Sequence, residues 1–104
     1  QKFGLEWVDQ VVFIYRAIIY NHLKEYDKAL QETRLGLFIF DQSADLHYYK
    51  AIAHQNMGQL DSARTHSAKA LEYFDIGYYH SRPYVEVQEQ IYRSDIEALQ
   101  KQLN

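Results

Sequence analysis

The chain repeats itself at a spacing of 34 residues, and that period limits its fold more than any single residue does. Tyr15, Arg16, Ala17 and Ile18 return as Tyr49, Lys50, Ala51 and Ile52. Asp27 and Ala29 return as Asp61 and Ala63, and Leu37, Phe40 and Asp41 return as Leu71, Phe74 and Asp75. Self-similarity at a fixed period in this range marks a solenoid, in which each unit buries its apolar face only by stacking on a neighbour. Apolar residues recur at helical rather than strand spacing along most of the chain, so the units are expected to be helix hairpins.

The periodicity predicts six helices. The first runs from about Leu5 to Leu23, with Leu5, Val8, Val12, Tyr15, Ile19 and Leu23 as its apolar stripe. After a turn at Lys24 and Glu25, the second spans Tyr26 to Phe40, with Ala29, Leu30, Thr33, Leu37 and Phe40 inward. Ser43 is the expected N-cap of a third helix, Ala44 to Met57, which Gly58 ends because glycine adopts the left-handed cap at little cost. A fourth spans Leu60 to Phe74, and Gly77 to Ser81 read as a loop. Pro83 suits the first turn of a fifth helix, Arg82 to Tyr92. Ser94 and Glu97 have the spacing of a capping box opening a sixth, Asp95 to Leu103, unless one bent helix runs on from Pro83.

Two helices per 34 residues, with small residues at fixed places, resembles the tetratricopeptide repeat. The residues that carry the likeness are Ala17 and Ala51, Ala29 and Ala63, Gly36 and Ala70, and the turns Lys24-Glu25-Tyr26-Asp27 and Gly58-Gln59-Leu60-Asp61. Tyr26 and Leu60 take the apolar place at the bend. The resemblance implies an all-α, right-handed array of antiparallel hairpins with about two and a half repeats in a single domain, 1–104. Repeat one covers about 10–43, repeat two about 44–77, and a degenerate third repeat or capping helices about 82–104, with Ala98 in the small-residue role. The chain departs from the family pattern where tryptophan is usual (Phe13, His47), at a usually aliphatic site (Arg16, Lys50) and at the mid-helix aromatic (Thr33, Ser67).

Arrays of this family present the first helix of each pair on a concave face that binds a peptide or a helix. Carried over, that groove would be lined by Val11, Ile14, Ile18, Asn21 and His22, with Asp45, Tyr48, Ile52, Gln55 and Asn56 from the second unit. Ile14 and Ile18 stand where a carboxylate clamp would need lysine and asparagine, so an apolar peptide, an amphipathic helix or another copy of the chain is the implied occupant. The competing explanation is that these residues are covered by another helix of the array. The expected role is a non-catalytic protein-interaction scaffold; the alternatives are a sensor or regulatory segment of a larger signalling protein and a small enzyme.

Composition narrows the field. A net charge of −3 with no run of lysine and arginine argues against nucleic acid as partner. With no cysteine there is no disulfide, zinc thiolate or thiol nucleophile, and the redox state of the compartment stays open. The apolar runs Val11–Tyr15 and Ala17–Tyr20 are too short to span a membrane. A start at Gln1 reads as an excised piece or a processed form, so both a cytoplasmic and an exported protein fit.

No metal or cofactor is expected. His47 and His54 lie two turns apart on one face, and nothing in the sequence brings His66 or His80 to them. Asp41, Ser43 and Asp45 begin like a calcium loop, but Leu46 replaces its glycine and Ile52 its glutamate. The tyrosine-rich cluster Tyr73, Phe74, Tyr78, Tyr79 and Tyr84 is expected to plug a junction, a binding platform being the alternative, and Trp7 to seal the N-terminal edge or contact a preceding repeat.

Overall fold

A computed structural model of the chain describes the backbone of residues 2–79 and 91–104, and side chains of residues 10–79 and 91–104. It is all-α: α1 (Lys2–His22), α2 (Tyr26–Ile39), α3 (Ala44–Asn56), α4 (Leu60–Ile76) and α5 (Arg93–Leu103), with no strand among the described residues. α1 packs on α2 and α3 on α4; α3 also packs on α2 and touches α1, and α5 packs on α4 and touches α3.

The two hairpin turns are built alike. At the first, Lys24 has a φ of 61°; at the second, Gly58 has a φ of 78°. In each, the next amide reaches back to close the helix: Glu25 N–H donates to Tyr20 O (2.8 Å) and Gln59 N–H to His54 O (2.9 Å). This is the Schellman motif, which uses carbonyls that the helix end would otherwise leave unpaired. Gly77 closes α4 the same way, with Tyr78 N–H donating to Tyr73 O (2.9 Å). The hydroxyl of Ser43 caps α3 by accepting from Leu46 N–H (3.2 Å).

Small residues sit at the helix contacts. Ala17, Ala51, Ala29, Ala63, Ala70 and Thr33 are all fully buried. At Gly36 an added Cβ would lie 2.8 Å from Leu46 Cδ1 and 3.0 Å from Phe13 Cβ, so α2 meets α1 and α3 too closely there for any side chain. Thr33 and Ser67, buried where the family pattern has an aromatic, return their hydroxyls to Leu30 O (3.0 Å) and Arg64 O (2.9 Å) of their own helices.

Several expectations need correction. The stripe assigned to α1 is not its core face: Val12, Ile19 and Leu23 are exposed, and Ile14, Ala17 and Ile18 are buried instead. Leu60 is exposed at its bend and Ala98 is exposed on α5, where Ile96, Leu99 and Leu103 turn inward. α5 begins at Arg93, so Ser94 is inside the helix; the carboxylate of Asp95 takes the cap role by accepting from Tyr92 N–H (2.9 Å). Ile91 and Tyr92 are not helical, which rules out an unbroken helix through them. The rest of the expected fifth helix, His80 and Tyr84, and the side chains of Leu5, Trp7 and Val8 lie outside the described residues.

α5 is tied down at both ends by arginine. Arg93 forms a two-pronged pair with Asp75 at the end of α4 (2.8 and 3.1 Å) and also bonds Glu97, while Arg64 Nε donates to the Leu103 carbonyl (2.9 Å). Between these ties, Leu99 and Leu103 pack on Ala51 and Ala63.

Candidate functional site

A groove of about 440 Å³ lies where α1, α3 and the start of α5 meet, lined by Ile18, Asn21, His22, Tyr48, Tyr49, Ile52, Ile91 and Asp95. Five of the expected groove residues come together in it: Ile18, Asn21, His22, Tyr48 and Ile52. They do so because residues spaced three or four apart share a helix face, and α3 lies against α1. Ile18 is 9% exposed and belongs as much to the core as to the groove. Asn21 joins the two helices, its Nδ2 donating to Tyr49 O (3.3 Å), while its buried Oδ1 has no hydrogen-bond partner among the described residues.

Five expected lining residues do not take part. Ile14 is fully buried in the core, Val11 is half-buried away from the lining, and Gln55 donates from Nε2 to Gln102 Oε1 on α5 (3.0 Å). Asp45 is also buried, and Asn56 turns back to bond Ile52 O (2.9 Å). Covering by another helix therefore accounts for part of the face, since α5 closes the α3 side. Sequence reading missed Tyr49, Ile91 and Asp95. Ile91 is buried just before the start of α5, and a single isoleucine at a helix entrance has no periodic signature.

A second cluster is polar. His66 of α4 sits between His47 and His54 of α3, its ring stacked on both at centroid distances of 5.2 and 5.6 Å. The sequence reading did not foresee this grouping of His66 with His47 and His54. The Nδ1 atoms of His47 and His66 are 3.0 Å apart, and Nε2 of His47 is 3.1 Å from the carbonyl of Asp41. A carbonyl only accepts, so His47 carries its proton on Nε2 and accepts at Nδ1 from the Nδ1–H of His66. This direction holds with His47 neutral; a second proton on His47 would reverse it, with His66 taking its Nε2–H tautomer and accepting at Nδ1.

Burial pushes the His47 imidazole below its usual range, aided by Lys69 and Lys50 and opposed by the Asp41 carbonyl and carboxylate. Burial likewise pushes His66 down to about 3, with Lys50, the other two histidines and Lys69 adding to the effect. Lys50 is itself lowered, first by burial and then by Arg34 and Lys69. The cluster thus favours neutral rings and repels added positive charge. Among the described residues no three histidine, cysteine or carboxylate side chains converge as a metal site would need.

The aromatic cluster packs on itself: Phe74 stacks on Tyr79 at 4.1 Å and Tyr73 tilts towards Tyr78 at 6.4 Å. Its backbone has a structural task, because Ala44 N–H at the start of α3 donates to Tyr78 O (2.9 Å). No helix of the described residues is long and apolar enough to cross a membrane. No protein-family model, no curated protein and no solved structure matches the chain.

Proposed function

We propose that this chain is a short tetratricopeptide-like array that works as a non-catalytic interaction module, seating a peptide or helix of a protein partner in the groove between α1, α3 and α5. The observation that carries this reading is the groove itself. It offers Ile18, Tyr48, Ile52 and Ile91 as an apolar floor, with Asn21, His22 and Asp95 as polar groups around it. Ligand sites commonly combine an apolar surface with a few convergent polar groups, and 440 Å³ lies within their usual span. An apolar side chain entering over Ile52, with an amide or basic donor directed at Asp95, is the fitting occupant. The repeat reading is supported by the recurrence of buried small residues and of the Schellman turns at matching positions in the two hairpins.

A photo-crosslinking residue placed at exposed His22 tests the assignment, with Lys101 on the outer face of α5 as the control position. The expected result is one protein partner captured from His22 in cells and not from Lys101, and lost when Ile52→Ser is added with helicity unchanged. Equal capture from both positions, or capture indifferent to Ile52→Ser, would refute it.

A further inference from the structure

We infer that the face shared by α3 and α4 binds an oxyanion of the phosphate class, held by Lys50 and Lys69 with Arg34 of α2 beside them. The site shares no residue with the groove, and the inference does not depend on what the groove binds. Its evidence is what the 34-residue equivalence exchanges between the two hairpins. In the first hairpin, Arg16 of α1 pairs with Glu32 of α2 at 3.7 Å. In the second, Lys50 takes the place of Arg16, but His66 takes the place of Glu32. The cation is kept and its carboxylate is gone.

Neighbouring exchanges run the same way. Leu35 of the first hairpin becomes Lys69, and Phe13 and Tyr20 become His47 and His54. Helical spacing gathers these residues: His47, Lys50 and His54 share one face of α3, and His66 and Lys69 share one face of α4. His66 sits between the two α3 rings and stacks on both, so these two faces meet. Lys50 lies within electrostatic reach of His66, of Lys69 and of Arg34.

Among the described residues nothing neutralises this charge. Arg34, Lys50 and Lys69 make no ion pair there, whereas Arg16, Lys28, Arg64 and Arg93 all do. No described carboxylate acts on Lys50 or His66; Asp41 acts on His47, towards the start of α3. Lys50 is half-buried, and its burial, Arg34 and Lys69 all oppose its positive charge. A bound anion removes that opposition. Lysine meets phosphate as a point charge and arginine as a fork of donors. A phosphate group has the charge and the several oxygens to engage cations from three helices together, which a single carboxylate does not. Arg34 and Lys69 are exposed, so the face is open to solvent.

Inorganic phosphate, added at constant ionic strength, should raise the urea midpoint of the chain in a saturable way. It should also shift the amide NMR signals of Lys50 and Lys69 and leave that of Lys101 in place. O-Phosphoserine titrated in parallel separates a phosphate monoester from the free ion by which of the two binds more tightly, and acetate should bind far more weakly than either. Lys50→Met and Lys69→Gln should each weaken phosphate binding about tenfold or more, as the loss of one charge-assisted hydrogen bond does, and Lys101→Gln should not. His66→Glu, which restores the first hairpin's carboxylate beside Lys50, should abolish binding with helicity kept. Should Lys50→Met or His66→Glu lose helicity, Lys69→Gln at its exposed position decides. An effect of acetate equal to that of phosphate, or phosphate binding that a folded variant at Lys50, His66 or Lys69 leaves unchanged, would overturn the inference.

Discussion

The hairpins α1–α2 and α3–α4 share a turn geometry and a set of buried small residues, yet they stand in different surroundings. α3 is sandwiched: Ala44, Asp45, Leu46, His47, Tyr49, Ala51 and Ala53 are all buried, on nearly every side of the helix. α1 is covered on one side only, with Ile14, Ala17 and Ile18 inside and Val12, Ile19 and Leu23 outside. Equivalent positions therefore carry unequal energetic weight, and the sequence period alone does not reveal which copy of a residue stabilises the fold. Position in the stack decides that.

The sharpest way to break the equivalence is to truncate both members of one pair. Leu46→Ala removes a fully buried side chain and should cost about 2–5 kcal/mol. Val12→Ala, its counterpart at 40% exposure, should change the stability of the isolated chain by under about 0.5 kcal/mol. Urea titration of the two variants would show a large fall in midpoint for the first and little for the second; similar losses would mean that α1 is as enclosed as α3.

Acid should act on the second hairpin first, because only it has the histidine pair; the matching residues of the first are Phe13 and Glu32. The folded imidazoles of His47 and His66 are held below their usual range, so below about pH 6.5 the unfolded chain binds more protons than the folded one. Stability is then intact above about pH 6.5 and falls as pH drops, by at most about 1.4 kcal/mol per pH unit for each ring. For His66 the loss continues towards about pH 3. Asp75, held low by its bond to Arg93, loses its contribution only within the carboxylate range, so comparing pH 7 with pH 5 isolates the histidines. His47→Phe, which restores the first hairpin's residue, should lessen that dependence by the share of His47, while half-buried His66 keeps its own; an unchanged slope would show that His47 is not a source of it.

The smallest effect concerns the turns. Lys24 adopts a left-handed backbone that costs a side-chain-bearing residue roughly 1–2 kcal/mol relative to glycine, and Gly58 holds the same place without that cost. Lys24→Gly should stabilise the protein by about 1 kcal/mol, and Gly58→Ala should destabilise it by a similar amount. Thermal melts of the two variants should shift in opposite directions.

The helix starts at Tyr26, Ala44 and Leu60, the cap at Ser43 and the burial of the paired alanines were legible, because caps, glycine and repeat spacing are local signals. The facing of α1 was not. From Val11 to Tyr20 every residue but Arg16 is apolar or aromatic, so several stripes fit and only packing selects one. Five groove residues could be placed because they share faces at helical spacing, whereas Ile91 and Asp95 enter through a long-range docking that no local pattern encodes. His66 could have been found. Residues at similar distances from a hairpin turn face each other, and His47 and His66 lie eleven residues before and eight after Gly58, within one helical turn of a match.

The Arg93–Asp75 pair has a bearing on the groove although it does not line it. Both side chains are about half exposed, at 50% and 47%, so dissolved ions weaken their attraction. That attraction helps seat the helix that brings Asp95 and the adjoining Ile91 to the groove. Ionic strength would therefore alter the cleft through the firmness of its wall, and even an uncharged occupant would bind with an affinity that depends on electrolyte.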